Sequence, residues 1–365
     1  VAQMEFAGVC KVCLMQLKPT LAEIYTCPDH PDIKPGLRQQ LVVDPLDPGI
    51  KADKVITSLV LDDKRTDYWI RNCKTNLKWI NRNGFLSSKD VPEAEYVILA
   101  GAGPSLAGQA DVINNVKNAT VVACNDAINI LPNADYCIAM DYKFSEIREL
   151  HASDKTTAIL DFTTDHNLTP LGWKAVRWMQ RAGLNHWNKI KWFRKAAKRY
   201  GPRCAQWYDC WNVTNTALQW IANVLKPKVI IMVGCESSFD MLTGNTRFNG
   251  DQMTWADDDS PGKYCVARDV RGFPCITTPG MLKAAQYTIV LATFLRLHGI
   301  STVNATIGGI LQEQIDFDEA PPEIVLPRVD LDHILETIDK PIDTPKEPFD
   351  FIPTLATEES EHDRD

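Results

Sequence analysis

No apolar run in the 365 residues approaches the roughly 20 needed to span a bilayer, so no membrane partner is expected. The opening residues, VAQMEFAGVCKVC, lack a basic stretch followed by a long apolar core, and no secretion signal is read there. An excess of positive charge is missing too. The chain has 39 Lys and Arg against 47 Asp and Glu, a formal net charge of −8. That argues against wholesale coating of nucleic acid, while leaving room for a local basic patch. There is no internal repeat. The cysteines number 11, an odd count scattered over the chain, which fits a reducing, cytoplasmic compartment better than a disulfide scaffold. Cys124, Cys137, Cys235 and Cys275 lie in or beside apolar runs and read as small buried hydrophobes.

What is present divides into four regions: 1–35, a cysteine-containing, zinc-knuckle-like segment; 36–90, a helical linker; 91–315, alternating strands and helices; and 316–365, a Pro-rich acidic arm read as extended with a disordered end. In the linker, Tyr68, Asn72, Leu77 and Ile80 do not make one clean apolar stripe. In the third region EYVILAG, ATVVACND, DYCIAMD, TTAILDF, KVIIMVGCE, PCITT and STVNAT are short and almost continuously apolar. Such runs suit strands buried on both faces of a parallel sheet. TNTALQWIANVL and GMLKAAQYTIVLATFLRLHG read as helices between them, the second stopping at Gly299. The expected fold is therefore α/β, a Rossmann-like, doubly wound, mainly parallel sheet. Ligands of such sheets sit beyond the carboxyl ends of the strands. Those ends carry Gly101 to Ser105, Asn125, Asp126, Asp141, Glu236, Asn304 and Thr306.

The first of these ends is GAGPSL. Gly101 and Gly103 permit a sharp turn, Pro104 suits a first helical turn, and Ser105 offers a cap or a hydroxyl. Backbone N–H groups at the helix start would face a phosphate. No Gly-Lys-Ser/Thr follows, which excludes the nucleoside-triphosphate P-loop, and Leu106 stands where the dinucleotide fingerprint has its third glycine.

GAGPSL after a strand, followed by VVACNDAINIL and ADYCIAMD, resembles the motility-associated factors that glycosylate flagellin and the MptE-like 6-hydroxymethylpterin diphosphokinases. Bacterial sialyltransferases with a Gly-Asn-Gly-Pro-Ser-Leu loop are more distantly similar. KVIIMVGCESSFD, TRFNGD and VNATIGGIL extend the likeness, which covers about 91 to 312. Where the family pattern has Gly-x-Asp, this chain has Gly234, Cys235 and Glu236, a longer carboxylate. The resemblance implies a domain that binds an activated nucleotide. Gly101, Gly103, Pro104 and Ser105 would hold the phosphate side, Asn125 and Asn304 would join the nucleotide site, and Asp126, Asp141 and Glu236 would be the catalytic carboxylates. A phosphate leaving group needs its charge stabilised, and an acceptor hydroxyl needs a base. Mg²⁺ would take one or two of the carboxylates together with phosphate oxygens. His186 is a base by residue type alone, and reads more readily as a surface or packing histidine.

Two further constellations stand outside that likeness. Cys10 and Cys13 in CKVC, with Cys27 and His30 in CPDH, have the types and spacing of a closed structural Zn²⁺ site. The segment from Gly172 to Trp211 concentrates Trp, Lys and Arg, with Ile190, Phe193, Ala197 and Tyr200 at helical spacing and Lys191, Arg194, Lys195, Lys198 and Arg199 on other faces. It reads as a solvated amphipathic helix, an electropositive lid over a nucleotide, or a nucleic-acid groove.

The leading expectation is a transferase taking a nucleotide-activated donor, most simply a glycosyltransferase moving a sugar to a hydroxyl. An ATP-dependent diphosphokinase acting on a hydroxymethyl heterocycle is the second. A non-catalytic assembly protein that keeps the fold, forming a homo-oligomer or a larger assembly, is the third. Modification of a nucleic-acid base guided by the basic stretch would join these features.

Overall fold

The computed structural model describes residues 5–6, 40–41, 63–181, 190–207, 212–238, 265–270, 274–311 and 326–339. Two short strands, β1 (Glu5–Phe6) and β2 (Gln40–Leu41), pair antiparallel in a sheet of their own. Helix α1 (Asp63–Asn83) follows. The main sheet begins with β3 (Tyr96–Ala100), helix α2 (Leu106–Asn114), β4 (Thr120–Cys124) and β5 (Tyr136–Ala139). After the one-turn helix α3 (Phe144–Ile147) come β6 (Thr157–Asp161) and β7 (Ala175–Arg181). Helix α4 (Lys191–Tyr200) leads to β8 (Ala205–Trp207), and α5 (Val213–Trp220), with a π turn over Ile221–Leu225, leads to β9 (Val229–Val233).

Beyond β9, PCITT departs from the expectation of a parallel strand. As β11 (Pro274–Thr277) it pairs antiparallel with β10 (Cys265–Arg268) in a separate two-stranded sheet. Helix α6 (Pro279–Leu297), β12 (Ser301–Asn304) and α7 (Leu331–Asp339) complete the described chain. α6 begins on Thr278, whose hydroxyl accepts from Met281 N at 3.1 Å, with Pro279 at the position where a missing N–H costs least.

The eight-stranded sheet has the order β12-β9-β3-β4-β5-β6-β7-β8, and every pair in it is parallel. The chain walks from β3 to β8 at one edge, then returns to the other side of β3. Direction thus reverses between β3 and β9, where such sheets open a crevice at their carboxyl ends. All five residues of β3 are buried. Ile98 and Ala100 belong to the apolar cluster that also takes in residues of α1, α2, α4 and α7, while Val97 and Leu99 belong to the cluster on the other face, with α5 and α6. A strand covered on both faces has no use for polar alternation, which is why these runs read as continuous apolar stretches.

Helix α1 belongs to this same core. Trp69, Asn72, Cys73, Asn76, Leu77 and Ile80 form its buried stripe. In α4 Phe193, Ala196 and Tyr200 are buried, while Lys191, Arg194, Lys195, Lys198 and Arg199 are exposed, as a solvated amphipathic helix requires. Residues 326–339, within the stretch read as an extended arm, tie back to the sheet. Asn304 N donates to Pro327 O at 2.7 Å, Val329 N donates to Asn304 O at 3.0 Å, and α7 buries Leu331, Leu335 and Ile338. No helix among the described residues is long and apolar enough to cross a membrane. Cys10, Cys13, Cys27 and His30, the expected Zn²⁺ ligands, lie outside the described residues, as does His186.

Candidate functional site

The glycine turn sits where the sheet reverses. Gly101 N donates to Val233 O at 2.8 Å, and Gly103 N donates to Gly234 O at 2.9 Å, so the loops after β3 and β9 are laced together. The glycines are needed for this close approach. A Cβ on Gly101 would run into Gly234 O and sit 3.0 Å from Cys235 Sγ, and one on Gly103 would run into the Glu236 carboxylate. Glu236 itself is 6% exposed. Its Oε1 accepts from Ser105 N at 2.6 Å, at the start of α2. The backbone of Glu236 is pinned as well: Ile310 N donates to its carbonyl at 2.8 Å, and Gly309, at φ +80°, packs against its Cα. A fixed carboxylate of the protein thus takes the N–H that the sequence offered to a phosphate. An anion at a helix N-terminus is electrostatically favoured there, which explains its burial.

Two polar atoms in this neighbourhood have no such partner. Ser105 Oγ does not cap α2, and it is hidden from solvent with no hydrogen bond among the described residues. Asn125 Oδ1, at the end of the adjacent strand β4, is in the same position. Asn125 adopts a left-handed backbone with φ +53°, a conformation that Asn tolerates better than most residues. Next to it Asp126 is 1% exposed, with Arg148 Nη1 at 3.8 Å from its Oδ1.

Asp141 and Asn304 are placed differently. Asp141 ends the neighbouring strand; its Oδ1 accepts from Lys143 N at 3.0 Å, and its carbonyl accepts from Asp165 N at 3.1 Å. Asn304 is fully buried and turned into its own loop: Nδ2 donates to Leu311 O at 3.1 Å, and Oδ1 accepts from Thr306 N at 3.0 Å. It shapes the loop after β12. No cluster of three or more metal-ligating side chains forms among the described residues. The thiols beneath these strand ends are protonated: burial pushes Cys235 up to about 12, and raises Cys124 and Cys137 well above the ordinary thiol value. None of them is a nucleophile at neutral pH.

A histidine that the sequence reading did not single out stands on the same edge, in the turn after β6. Asn72 of α1, fully buried, donates its Nδ2 to Tyr142 O at 2.9 Å and to Thr163 O at 3.0 Å. Both amide hydrogens are thereby used, so Oδ1 faces His166 Nδ1 at 2.8 Å as an acceptor. His166 Nδ1 must then carry the hydrogen, and Nε2 carries the lone pair in the neutral ring. Asp165 Oδ1 lies 3.9 Å from the same Nδ1 and accepts from Asn167 N, while Asp165 Oδ2 accepts from Ser145 N and Oγ. A base whose tautomer is fixed by a buried side chain is an arrangement that serves proton transfer. The signal in the sequence was two asparagines four residues apart on a helix, Asn72 and Asn76, where apolar residues belong.

No protein-family model matches the chain, and no curated protein matches it. The fold is similar to a solved structure of an MAf glycosyltransferase from Magnetospirillum magneticum AMB-1, at 14% sequence identity and a TM-score of 0.45. The match covers 75% of this chain and 41% of that one, so the chain spans about two fifths of the length of that structure.

Proposed function

We propose that the chain is a transferase that binds a nucleotide-activated donor at the β3–β4 end of a Rossmann-like sheet and moves a sugar to a hydroxyl acceptor. The observation that carries this reading is the pair of orphaned polar atoms, Ser105 Oγ and Asn125 Oδ1, hidden on adjacent strand ends beside the point of reversal. Buried polar atoms are almost always paired, so two on neighbouring strand ends call for an outside partner. A ribose or a phosphate ester supplies both donors and acceptors. The likeness of GAGPSL, VVACNDAINIL and ADYCIAMD to nucleotide-using transferases points the same way.

Glu236 shapes how the donor is held. Its carboxylate already takes the Ser105 N–H, so bare phosphates at the turn would meet a like charge. A carboxylate with phosphate oxygens and water is a donor set that Mg²⁺ accepts, and Glu236 is the residue that would hold it. The metal would supply charge neutralisation of the leaving phosphate. On the same carboxyl edge of the sheet, three strand spacings from β3 and so roughly 14 Å away, His166 Nε2 takes the proton of the acceptor hydroxyl. The acceptor oxygen then forms its bond to the sugar carbon as the bond from that carbon to the phosphate oxygen breaks.

The test is a thermal-shift screen of CMP-, UDP- and GDP-sugars and of ATP, with and without Mg²⁺. Selective stabilisation by a nucleotide sugar is the expected result, because a ligand of the folded state raises its melting temperature. Stabilisation by ATP with Mg²⁺ alone would replace the reading with diphosphate transfer. No shift with any nucleotide would remove it.

A further inference from the structure

We infer that the joined outer face of α1 and α4 is a docking surface for nucleic acid. The inference is independent of the transferase reading. The five exposed cations of α4 are joined by Arg71, Lys74, Lys78 and Arg82, all exposed on α1. The two helices pack together, and their cations meet. Lys74 Nζ of α1 and Lys195 Nζ of α4 each lie 5.5 Å from the centroid of the Trp192 ring. Arg199 Nη1 donates to Asn81 Oδ1 at 2.9 Å across the same seam. Against these cations α4 has no acidic residue, and Asp67 is the exposed acid among the described side chains of α1. Of the cations, Arg71 is paired, with Glu146 at 3.7 Å; Lys74, Lys78, Lys191, Arg194, Lys195 and Lys198 make no ion pair among the described residues. In a chain of net charge −8 such segregation makes a local positive field that the average conceals.

The pattern favours a regularly charged strand. Within each helix the cations recur every three or four residues, so neighbours in a row are about 4.5–6 Å apart along the axis. Two such rows side by side face a polymer with a repeating anion, and Lys and Arg bind nucleic-acid backbones in this way without reading sequence. Trp192, partly exposed beside Lys74 and Lys195, adds an aromatic surface on which a base can stack. A lipid surface is the poorer fit. The exposed large apolar residues among those described are Leu86, Val112, Leu171, Leu297 and Ile307, none of them on α1 or α4, whereas a helix that lies on a membrane needs an apolar face to bury.

The experiment is fluorescence anisotropy of the full chain with labelled oligouridine and oligothymidine, with heparin as competitor and phosphatidylserine vesicles as a separate arm. Both strands should bind at low salt, and affinity should fall linearly on a log–log plot against salt. The triple variant K74E/K195E/K198E, all exposed positions, should lose at least tenfold in affinity, and K117E, an exposed lysine elsewhere, should lose nothing. W192A should weaken both strands about fivefold or more and leave heparin unchanged, because heparin has no bases. Absence of binding at low salt, or a triple variant that binds like the wild type, would overturn the inference. So would a W192A that leaves strands and heparin equally tight, or vesicles that bind better than either strand.

Discussion

At the residue scale, Glu236 and His166 are held by specific hydrogen bonds, and each has a distinct consequence. Glu236 is held by Ser105 N, by the absent side chain of Gly103 and by Gly309, so it cannot swing aside when a donor arrives. Glu236→Gln keeps the hydrogen bond to Ser105 N while removing the charge. In the thermal-shift assay this variant should lose the Mg²⁺ dependence of donor stabilisation, with the shift in absence of metal unchanged or larger. His166 is set by Asn72 so that Nε2 is the basic nitrogen. His166→Ala should lower kcat by roughly 10²- to 10⁴-fold, the usual span for a general base, and leave the donor-induced shift intact. Added imidazole should restore part of the rate. An unchanged kcat would remove His166 from the mechanism and leave the donor site standing.

At the scale of elements, α1 is docked through amides as well as apolar side chains. Asn76 donates to Phe162 O at 3.1 Å and to Thr164 O at 3.0 Å, and accepts from Thr169 Oγ1 at 2.9 Å, all buried. Asn76→Leu is close in size but leaves those three groups unpaired. It should cost on the order of 2–4 kcal/mol, read from urea unfolding. These same amides hid the helix's packing from a sequence reading. Trp69, Cys73, Leu77 and Ile80 are at helical spacing, and Asn72 and Asn76 interrupt the apolar stripe that would have announced a buried face. In α4, where nothing polar enters the stripe, the buried and solvated faces were legible. β7 and β8 were missed because AVRWMQR and AQW, near the edge of the sheet, carry Arg and Gln among their apolar residues. PCITT read as a parallel strand because apolar content does not reveal the partner, and its partner is the antiparallel β10.

At the scale of the molecule, one sheet buries its strands on both faces and its thiols with them. The free cysteines among the described residues, Cys73, Cys124, Cys137, Cys204, Cys235 and Cys275, are all buried. Burial raises Cys204 and Cys235 to about 12 from an ordinary value of 9.0. A thiol that ionises less readily when folded binds its proton more tightly in the native state. Between the two values the unfolded chain therefore gives up protons that the native chain keeps. Stability from this source is complete below about pH 9 and is lost progressively as pH rises toward 12. Chemical unfolding at a series of pH values should show the decline begin near pH 9, and replacing Cys235 with Ala should lessen its slope.

Most strands of the sheet, the two long helices before β9 and β12, and the polar residues at the strand ends were determined by the sequence alone. These features are local: a strand covered on both faces must be apolar throughout, and a ligand edge must be polar where the strands stop. What only the tertiary structure decided were contacts between residues far apart in the chain. Glu236 meets Ser105 across 131 positions, and His166 meets Asn72 across 94. No periodicity encodes such pairs. They arise because a parallel sheet brings the ends of distant strands to one edge, where the buried Glu236 carboxylate and Asn72 amide pair across the fold. The glycine turn was legible as a turn, and its occupant became visible only when the neighbouring loop was in place.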